Sequence, residues 1–157
     1  MGWVDSLRGK AVGIDTMPVI YYIEEHPLYL DMLDPFFNAV DRGDFTVITS
    51  IITLLEVLVL PIRNGDTGLT QKYRTILFDS NNLQTVLFDK EVAEEAALLR
   101  AFHKIRTPDS IQMATAIHEG ASYFLTNDLA LPSLPNLKVL TLDALRNDAQ
   151  SGKNREE

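Results

Sequence analysis

Ala11-Val12-Gly13-Ile14-Asp15-Thr16-Met17-Pro18 is the stretch of sequence that decides the fold. Its first four residues form a short apolar run of the β type, and Asp15 closes that run. Thr16 can cap a helix whose first turn contains Pro18, because a hydroxyl at the cap and an early proline both suit a helix start. The stretch therefore predicts a strand that ends at an acid and passes directly into a helix.

The same pairing of a short strand with a helical stretch repeats along the chain. Further strands are predicted at 45–49, 84–88, 122–126 and 137–141, and helices at 16–26, 28–41, 51–63, 69–78, 91–105 and 107–120. In the last of these helices, Thr107 is predicted as the cap and Pro108 as the first helical residue. Strands that alternate with helices are typical of an α/β domain with a largely parallel sheet.

The length and composition predict a single domain. The chain has 157 residues, of which 46% are hydrophobic and 23% charged, as in ordinary folded proteins. We expect a lead at residues 1–10, a domain at 11–145, and a polar, flexible tail at 146–157, where the periodic apolar positions stop.

The absence of cysteine limits the possible cross-links, nucleophiles and metal ligands of the protein. It excludes disulfides, a thiolate nucleophile and cysteine-ligated zinc, and it fits a reducing cytoplasm. The sequence has neither the apolar core of a signal peptide nor an apolar span of membrane length, so we expect a soluble cytoplasmic protein.

Four acids are candidates for a shared site: Asp15, Glu56, Asp109 and Asp128. Asp15 directly follows the first strand and Asp128 follows the fourth by two residues. In an open parallel sheet the ligand crevice lies at the carboxyl ends of the strands, where the strand order reverses. If the first and fourth strands are neighbours, these two carboxylates share one mouth.

Glu56 interrupts an apolar helical run. Its neighbours on the same helix face include no cation, so no local salt bridge could compensate burial of the carboxylate. A distant cation, protonation, exposure at the helix edge and a bound metal are all open explanations. The other three acids also have local explanations, which are an N-cap for Asp15, a first-turn charge for Asp109 and a turn residue for Asp128.

One shared cation would account for all four candidate acids together. An all-oxygen cluster suits magnesium or manganese better than zinc or copper. Arg106, just before the Asp109 helix, would then lie near a substrate phosphate, although helix C-terminal capping explains it equally well. The three histidines show no metal-ligand spacing, and we interpret them as surface or core residues.

The net charge of −8 is unfavourable for a nucleic-acid-binding protein, which usually presents a basic face. Without the four candidate acids, 14 basic residues face 18 acidic ones and the charge is −4. Bound divalent cations would offset the local charge.

Four short motifs follow one another along the chain: Val12-Gly-Ile-Asp15-Thr16, Thr49-Ser-Ile-Ile-Thr-Leu-Leu-Glu56-Val57, Thr107-Pro-Asp109-Ser-Ile-Gln-Met-Ala-Thr-Ala116 and Leu125-Thr-Asn-Asp128. In order and phase they resemble the PIN domain nucleases, most closely the VapC-like toxin branch. The likeness runs from about Val12 to Thr141.

The resemblance implies a three-layer α/β domain with a central, mostly parallel five-stranded sheet flanked by helices. It implies that the four candidate acids bind one or two Mg²⁺ or Mn²⁺ ions, supported by the hydroxyls of Thr16, Ser50 and Thr126. It further implies an endoribonuclease in which metal-activated water hydrolyses RNA phosphodiester bonds, and a toxin with an antitoxin partner. A homodimer is expected by the same likeness.

Two other functions are open. A PIN-like interaction module could keep the fold without catalysis. A phospho-accepting receiver domain would explain Asp15, but it requires an acidic pair before the phosphorylated strand and a late lysine, and neither can be placed in this sequence.

Overall fold

The computed structural model describes residues 2–156, and the side chains of residues 2–152. Its sheet has five strands, which are β1 (Ala11–Ile14), β2 (Thr46–Ser50), β3 (Leu83–Val86), β4 (Tyr123–Thr126) and β5 (Lys138–Thr141). The described residues also form seven α-helices, which are α1 (Thr16–Ile23), α2 (Leu30–Arg42), α3 (Ile52–Arg63), α4 (Thr67–Asp79), α5 (Lys90–His103), α6 (Thr107–His118) and α7 (Leu142–Glu156).

The strand order is β3-β2-β1-β4-β5, and every pair of neighbouring strands is parallel. Strands β2 and β3 lie on one side of β1, and strands β4 and β5, which come later in the chain, lie on its other side. The order therefore reverses between β1 and β4, and Gly13 pairs with Ile48 on one side and Phe124 on the other. This confirms the predicted α/β fold and the adjacency of the first and fourth strands.

The sheet separates two hydrophobic cores, which makes the domain three-layered. One core lies under α5 and α6 and includes Ile48, Met113 and Phe124. The other lies under α1, α2, α3, α4 and α7 and includes Val12, Ile14, Val47, Leu83 and Leu125. Within residues 2–156, no helix combines the length and hydrophobicity that a membrane crossing requires.

Helix α6 packs closely against β1. A Cβ atom added at Gly13 would lie 2.6 Å from Cβ of Ala116 and 3.0 Å from Cδ2 of Phe124. Glycine at position 13 therefore permits an approach that any side chain would prevent. Asp109 lies two turns before Ala116 on the same helix, and it lines one cavity together with Asp15, the residue that follows β1.

Two predicted helix caps are wrong, and the predicted ends of strands and helices differ from the observed ones by up to three residues. Asp15 is the N-cap of α1, since its Oδ1 accepts a hydrogen bond from the Thr16 amide at 2.8 Å. Arg106 rather than Thr107 is the N-cap of α6, and its side chain forms no capping hydrogen bond. Thr107 is the first residue of the helix. The segment 146–157, predicted as a flexible tail, is helical as far as Glu156, and residue 157 lies outside the described residues. The division into lead, domain and tail stays a prediction.

Candidate metal centre

The four candidate acids border one cavity at the carboxyl ends of β1 and β4. Its volume is about 370 Å³, and its lining consists of Asp15, Thr16, Met17, Ile20, Tyr21, Glu56, Arg106, Asp109, Asn127 and Asp128. The cavity lies where the strand order reverses, which is where parallel sheets bind ligands. Residues that are distant in sequence thus meet at one mouth.

Asp15 is the most enclosed acid of the cavity together with Asp109, each being 8% exposed. Its Oδ1 accepts from the Thr16 amide, and its Oδ2 accepts from the Thr126 hydroxyl at 2.7 Å. Burial raises the pKa of Asp15 from 3.8 to about 6. The two hydrogen bonds lower this pKa in part, and the nearby charges of Asp109 and Glu56 raise it further. The cavity therefore holds a carboxylate whose charge is only partly compensated.

Asp109 is neutralised by Arg106, the residue that precedes α6. The Nε atom of Arg106 lies 3.2 Å from Oδ2 of Asp109. The Arg106 side chain is 79% exposed, so the ion pair stands at the rim of the cavity, where water weakens it. Arg106 thus lies beside Asp109 at the cavity, and its exposed guanidinium is accessible to a bound phosphate.

Glu56 lies at an exposed edge of α3, although the apolar run around it suggests a buried residue. Neighbouring Leu55, Val59 and Leu60 are also exposed, because only one side of α3 packs on the domain. The Glu56 carboxylate nevertheless points to the end of β1, since its Oε1 accepts from the Thr16 hydroxyl at 3.0 Å. Of the explanations left open by the sequence, exposure at the helix edge is the observed one.

Asp128 takes part in a tight turn after β4. Its Oδ1 accepts from the Ala130 amide at 2.9 Å, and its own amide donates to the Thr126 hydroxyl oxygen at 3.1 Å. The turn role predicted as an alternative is therefore real. It occupies one carboxylate oxygen, while Asp128 still lines the cavity.

The oxygens of the four candidate acids do not converge closely. Among the described residues, three ligand atoms within 4.8 Å of one another occur at Asp89, Glu91 and His118, on the surface between α5 and α6. There Nε2 of His118 lies 2.9 Å from Oε2 of Glu91. This hydrogen bond and the exposure of the group account for it without a metal.

The supporting residues are divided between the cavity and the interior. Thr16 lines the cavity, and Thr126 bonds Asp15 from beneath. Ser50 does not line the cavity, and its Oγ accepts from the Ile52 amide at the start of α3. It therefore contributes to a helix start rather than to the cavity wall.

Sequence reasoning missed four lining residues, Met17, Ile20, Tyr21 and Asn127. Asn127 donates to the Tyr29 hydroxyl at 3.1 Å and accepts from the Asp143 amide at 3.2 Å, which ties the loop after β4 to two other elements. Tyr21 lies four residues after Met17 on the face of α1 that follows Asp15. Counting one helical turn on from Thr16 would have identified Ile20, which is next to Tyr21.

The residues present fit a hard divalent cation. Carboxylates and hydroxyls supply only oxygen donors, which Mg²⁺ and Mn²⁺ prefer. The enclosed Asp15 forms no ion pair within the described part of the chain, and burial, together with repulsion from its acidic neighbours, raises its pKa. A cation would relieve that repulsion.

The PIN domain family matches residues 12–137 of the chain. A toxin-antitoxin complex from Klebsiella pneumoniae has the same fold, with 22% identity, a TM-score of 0.63, and coverage of 84% of this chain and 97% of the other. No curated protein sequence matches significantly.

Two further solved structures share the fold. The VapBC2 complex from Rickettsia felis, bound to a DNA fragment from its promoter, is 22% identical, with a TM-score of 0.63 and coverage of 83% and 98%. The DNA-bound VapBC complex from Salmonella typhimurium is 18% identical, with a TM-score of 0.59 and coverage of 85% and 98%.

Proposed function

The chain belongs to the PIN domain family, and on this premise we propose that it is an Mg²⁺- or Mn²⁺-dependent endoribonuclease, the toxin of a toxin-antitoxin pair in the cytoplasm. The observation that carries the proposal is that the four candidate acids border one cavity at the reversal point of the sheet. Such a cavity matches hydrolysis by metal-activated water, because no residue in it offers an obvious covalent nucleophile with a paired base.

The four candidate acids would hold the metal ion. When bound, the ion supplies a Lewis acid that polarises a phosphoryl oxygen and lowers the pKa of a water molecule. The protein's own contributions are the orientation of the carboxylates by Thr16 and Thr126 and the enclosure of Asp15. The exposed guanidinium of Arg106 is placed to bind a phosphate of the RNA backbone at the cavity rim.

A protein partner is supported by the exposed apolar surface of α3. Leu55 is 64% exposed, and Val59, Leu60 and Ile62 are also largely exposed. Apolar side chains grouped on one helix commonly mark a protein interface. The solved complexes of this fold contain an antitoxin, and we extend both an antitoxin and a homodimer to this chain as proposals.

The test compares Asp15→Asn with Asp79→Asn, a matched substitution at an exposed acid at the end of α4. Manganese binding is measured by calorimetry, and cleavage of a structured RNA is measured on a gel. Asp15→Asn is expected to keep the fold and to lose both manganese binding and cleavage, whereas Asp79→Asn keeps both. Full cleavage by Asp15→Asn would end the proposal.

The alternative, a catalytically silent interaction module, is favoured by one observation. The ion pair between Arg106 and Asp109 neutralises one candidate acid without any metal. A silent module would release no heat when manganese is added to the correctly folded wild-type protein. Heat that disappears in Asp15→Asn argues for the nuclease.

A further inference from the structure

Gln112 is a buried amide on the helix that carries Asp109. It lies three residues after Asp109 on α6, and it is 2% exposed. A buried amide costs free energy unless its polar atoms form hydrogen bonds. Here both polar atoms of the side chain are bonded, and all their partners come from other elements.

The direction of the Gln112 amide follows from one backbone contact. The Ser50 amide donates to Oε1 of Gln112 at 3.1 Å, and since a backbone N–H can only donate, the atom that faces it must be the oxygen. The Nε2 atom therefore faces the other way. It donates to the Thr53 hydroxyl at 2.6 Å and to the Thr16 hydroxyl at 3.4 Å.

The donor and the acceptor of each hydrogen bond between the hydroxyl groups around Gln112 can then be assigned. Thr49 donates to the backbone oxygen of Ile14 at 3.0 Å, so the 2.7 Å contact between Thr53 and Thr49 uses the proton of Thr53. The ionised carboxylate of Glu56 can only accept, so the 3.0 Å contact between Thr16 and Oε1 of Glu56 uses the proton of Thr16. This contact is shorter than the 3.4 Å contact of Thr16 with Thr53. One branch of the network therefore ends on the backbone oxygen of Ile14, and the other ends on Glu56, a candidate acid of the cavity.

The same amide joins three elements that carry candidate acids. It extends from α6 to Thr16 at the start of α1, next to Asp15, and to Thr53 on α3, one turn before Glu56. Of the described residues, no buried side-chain polar atom lacks a hydrogen-bond partner. A fully bonded interior network holds its members in one arrangement.

We propose that Gln112 is a positioning residue that orients Thr16 toward Glu56 and keeps α6 at a fixed distance from α3. It thereby sets the affinity of the cavity for a divalent cation. The inference rests on the proposed function, and it assigns a role to a residue that touches neither metal nor RNA.

The experiment measures the dissociation constant of Mn²⁺ by calorimetry for Gln112→Met, an apolar side chain of similar size. The control is Thr115→Val on the same helix, because the Thr115 hydroxyl is buried but bonds only the Ile111 oxygen of its own helix. Gln112→Met is expected to weaken binding about tenfold, as is typical when a partner of a metal ligand is removed. Thr115→Val is expected to change it by less than about twofold.

Coupling to Thr16 separates positioning from a general loss of stability. Thr16→Val should weaken binding as Gln112→Met does, and the double variant should bind no more weakly than either single variant, since both changes break the same link. Thr16→Ser, which keeps the hydroxyl, should recover most of the affinity that Thr16→Val loses. If Gln112→Met does not fold, Gln112→Asn keeps a buried amide that is too short to reach Thr16, and the same weakening is expected.

The outcomes distinguish this inference from the proposed function. Wild-type protein that binds Mn²⁺ while folded Gln112→Met or Gln112→Asn binds it with unchanged affinity overturns the positioning role alone. Additive effects of the Thr16 and Gln112 substitutions overturn it as well. Folded wild-type protein that binds no Mn²⁺ overturns the proposed function, and the positioning role with it.

Discussion

Asp15→Asn should stabilise the metal-free protein while it removes metal binding. Burial raises the pKa of Asp15 from 3.8 to about 6, so above pH 6 the folded protein contains an ionised carboxylate that is less stable there than in the unfolded chain. Each pKa unit corresponds to 1.36 kcal/mol, and the ionised form therefore costs about 3 kcal/mol of stability at neutral pH. A neutral amide avoids this cost but loses part of the bonding to Thr126 and Thr16, about 1 kcal/mol. We expect a net gain of about 2 kcal/mol.

The sign of the pH dependence gives a second check. Between pH 3.8 and 6 the folded protein binds more protons at Asp15 than the unfolded chain does, so this group's contribution to stability falls as pH rises through that window and is constant above it. At pH 5 the ionised form costs only about 1.6 kcal/mol, so the advantage of Asp15→Asn should shrink to about 0.6 kcal/mol, roughly a third. Unfolding in urea with EDTA at pH 7.5 and pH 5 measures both values, and Trp3, which stacks on Phe36, reports the transition.

Two results would refute this reasoning. One is an Asp15→Asn protein that is less stable than the wild type at pH 7.5 in EDTA. The other is a stability difference that does not change between pH 5 and pH 7.5. Added manganese serves as the control, because it should stabilise the wild type by binding the folded state and leave Asp15→Asn unchanged.

Three further predictions test the packing, the substrate contact and the protein interface. Gly13→Ala should lower the free energy of unfolding by about 1–3 kcal/mol, since its Cβ would meet Ala116 at 2.6 Å, and an unchanged urea midpoint would contradict the close packing of α6 on β1. Arg106→Ala should raise the KM for RNA several-fold with a smaller change in kcat, and Arg106→Lys should recover part of the loss; an unchanged KM would remove Arg106 from the phosphate contact. Val59→Asp should convert a dimer to a monomer in light scattering without unfolding, because Val59 is exposed, and a variant that stays dimeric would exclude α3 from the interface.

The fold was predictable because its signals are local. Strand β1 ends at Ile14, directly before Asp15, and α1 follows at once, as the residue pattern indicates. The alternation of elements then predicted the parallel sheet, which the structure confirms. Errors concern the ends of elements, where Asp15 rather than Thr16 caps α1, since a carboxylate and a hydroxyl are about equally good caps. One helix, α7, was not predicted at all.

The site was only partly predictable. The sequence indicates acids at the ends of β1 and β4, and the structure places both at one cavity. The apolar run around Glu56 suggested burial, but burial depends on how much of α3 the rest of the domain covers, and hydrophobicity alone does not report this. No local sequence pattern indicated the role of Gln112, because its hydrogen-bond partners lie far away in the chain.

The sequence by itself determined the order of the five strands and of α1 to α6, the all-oxygen character of the candidate acids and the family likeness, because period, caps and side-chain chemistry are properties of neighbouring residues. Only the tertiary structure decided that Glu56 is exposed, that Arg106 pairs with Asp109, and that Gln112 joins three elements beneath the cavity. The physical reason is that burial and hydrogen bonding between distant segments arise when helices pack on the sheet, and no stretch of a few residues contains that information.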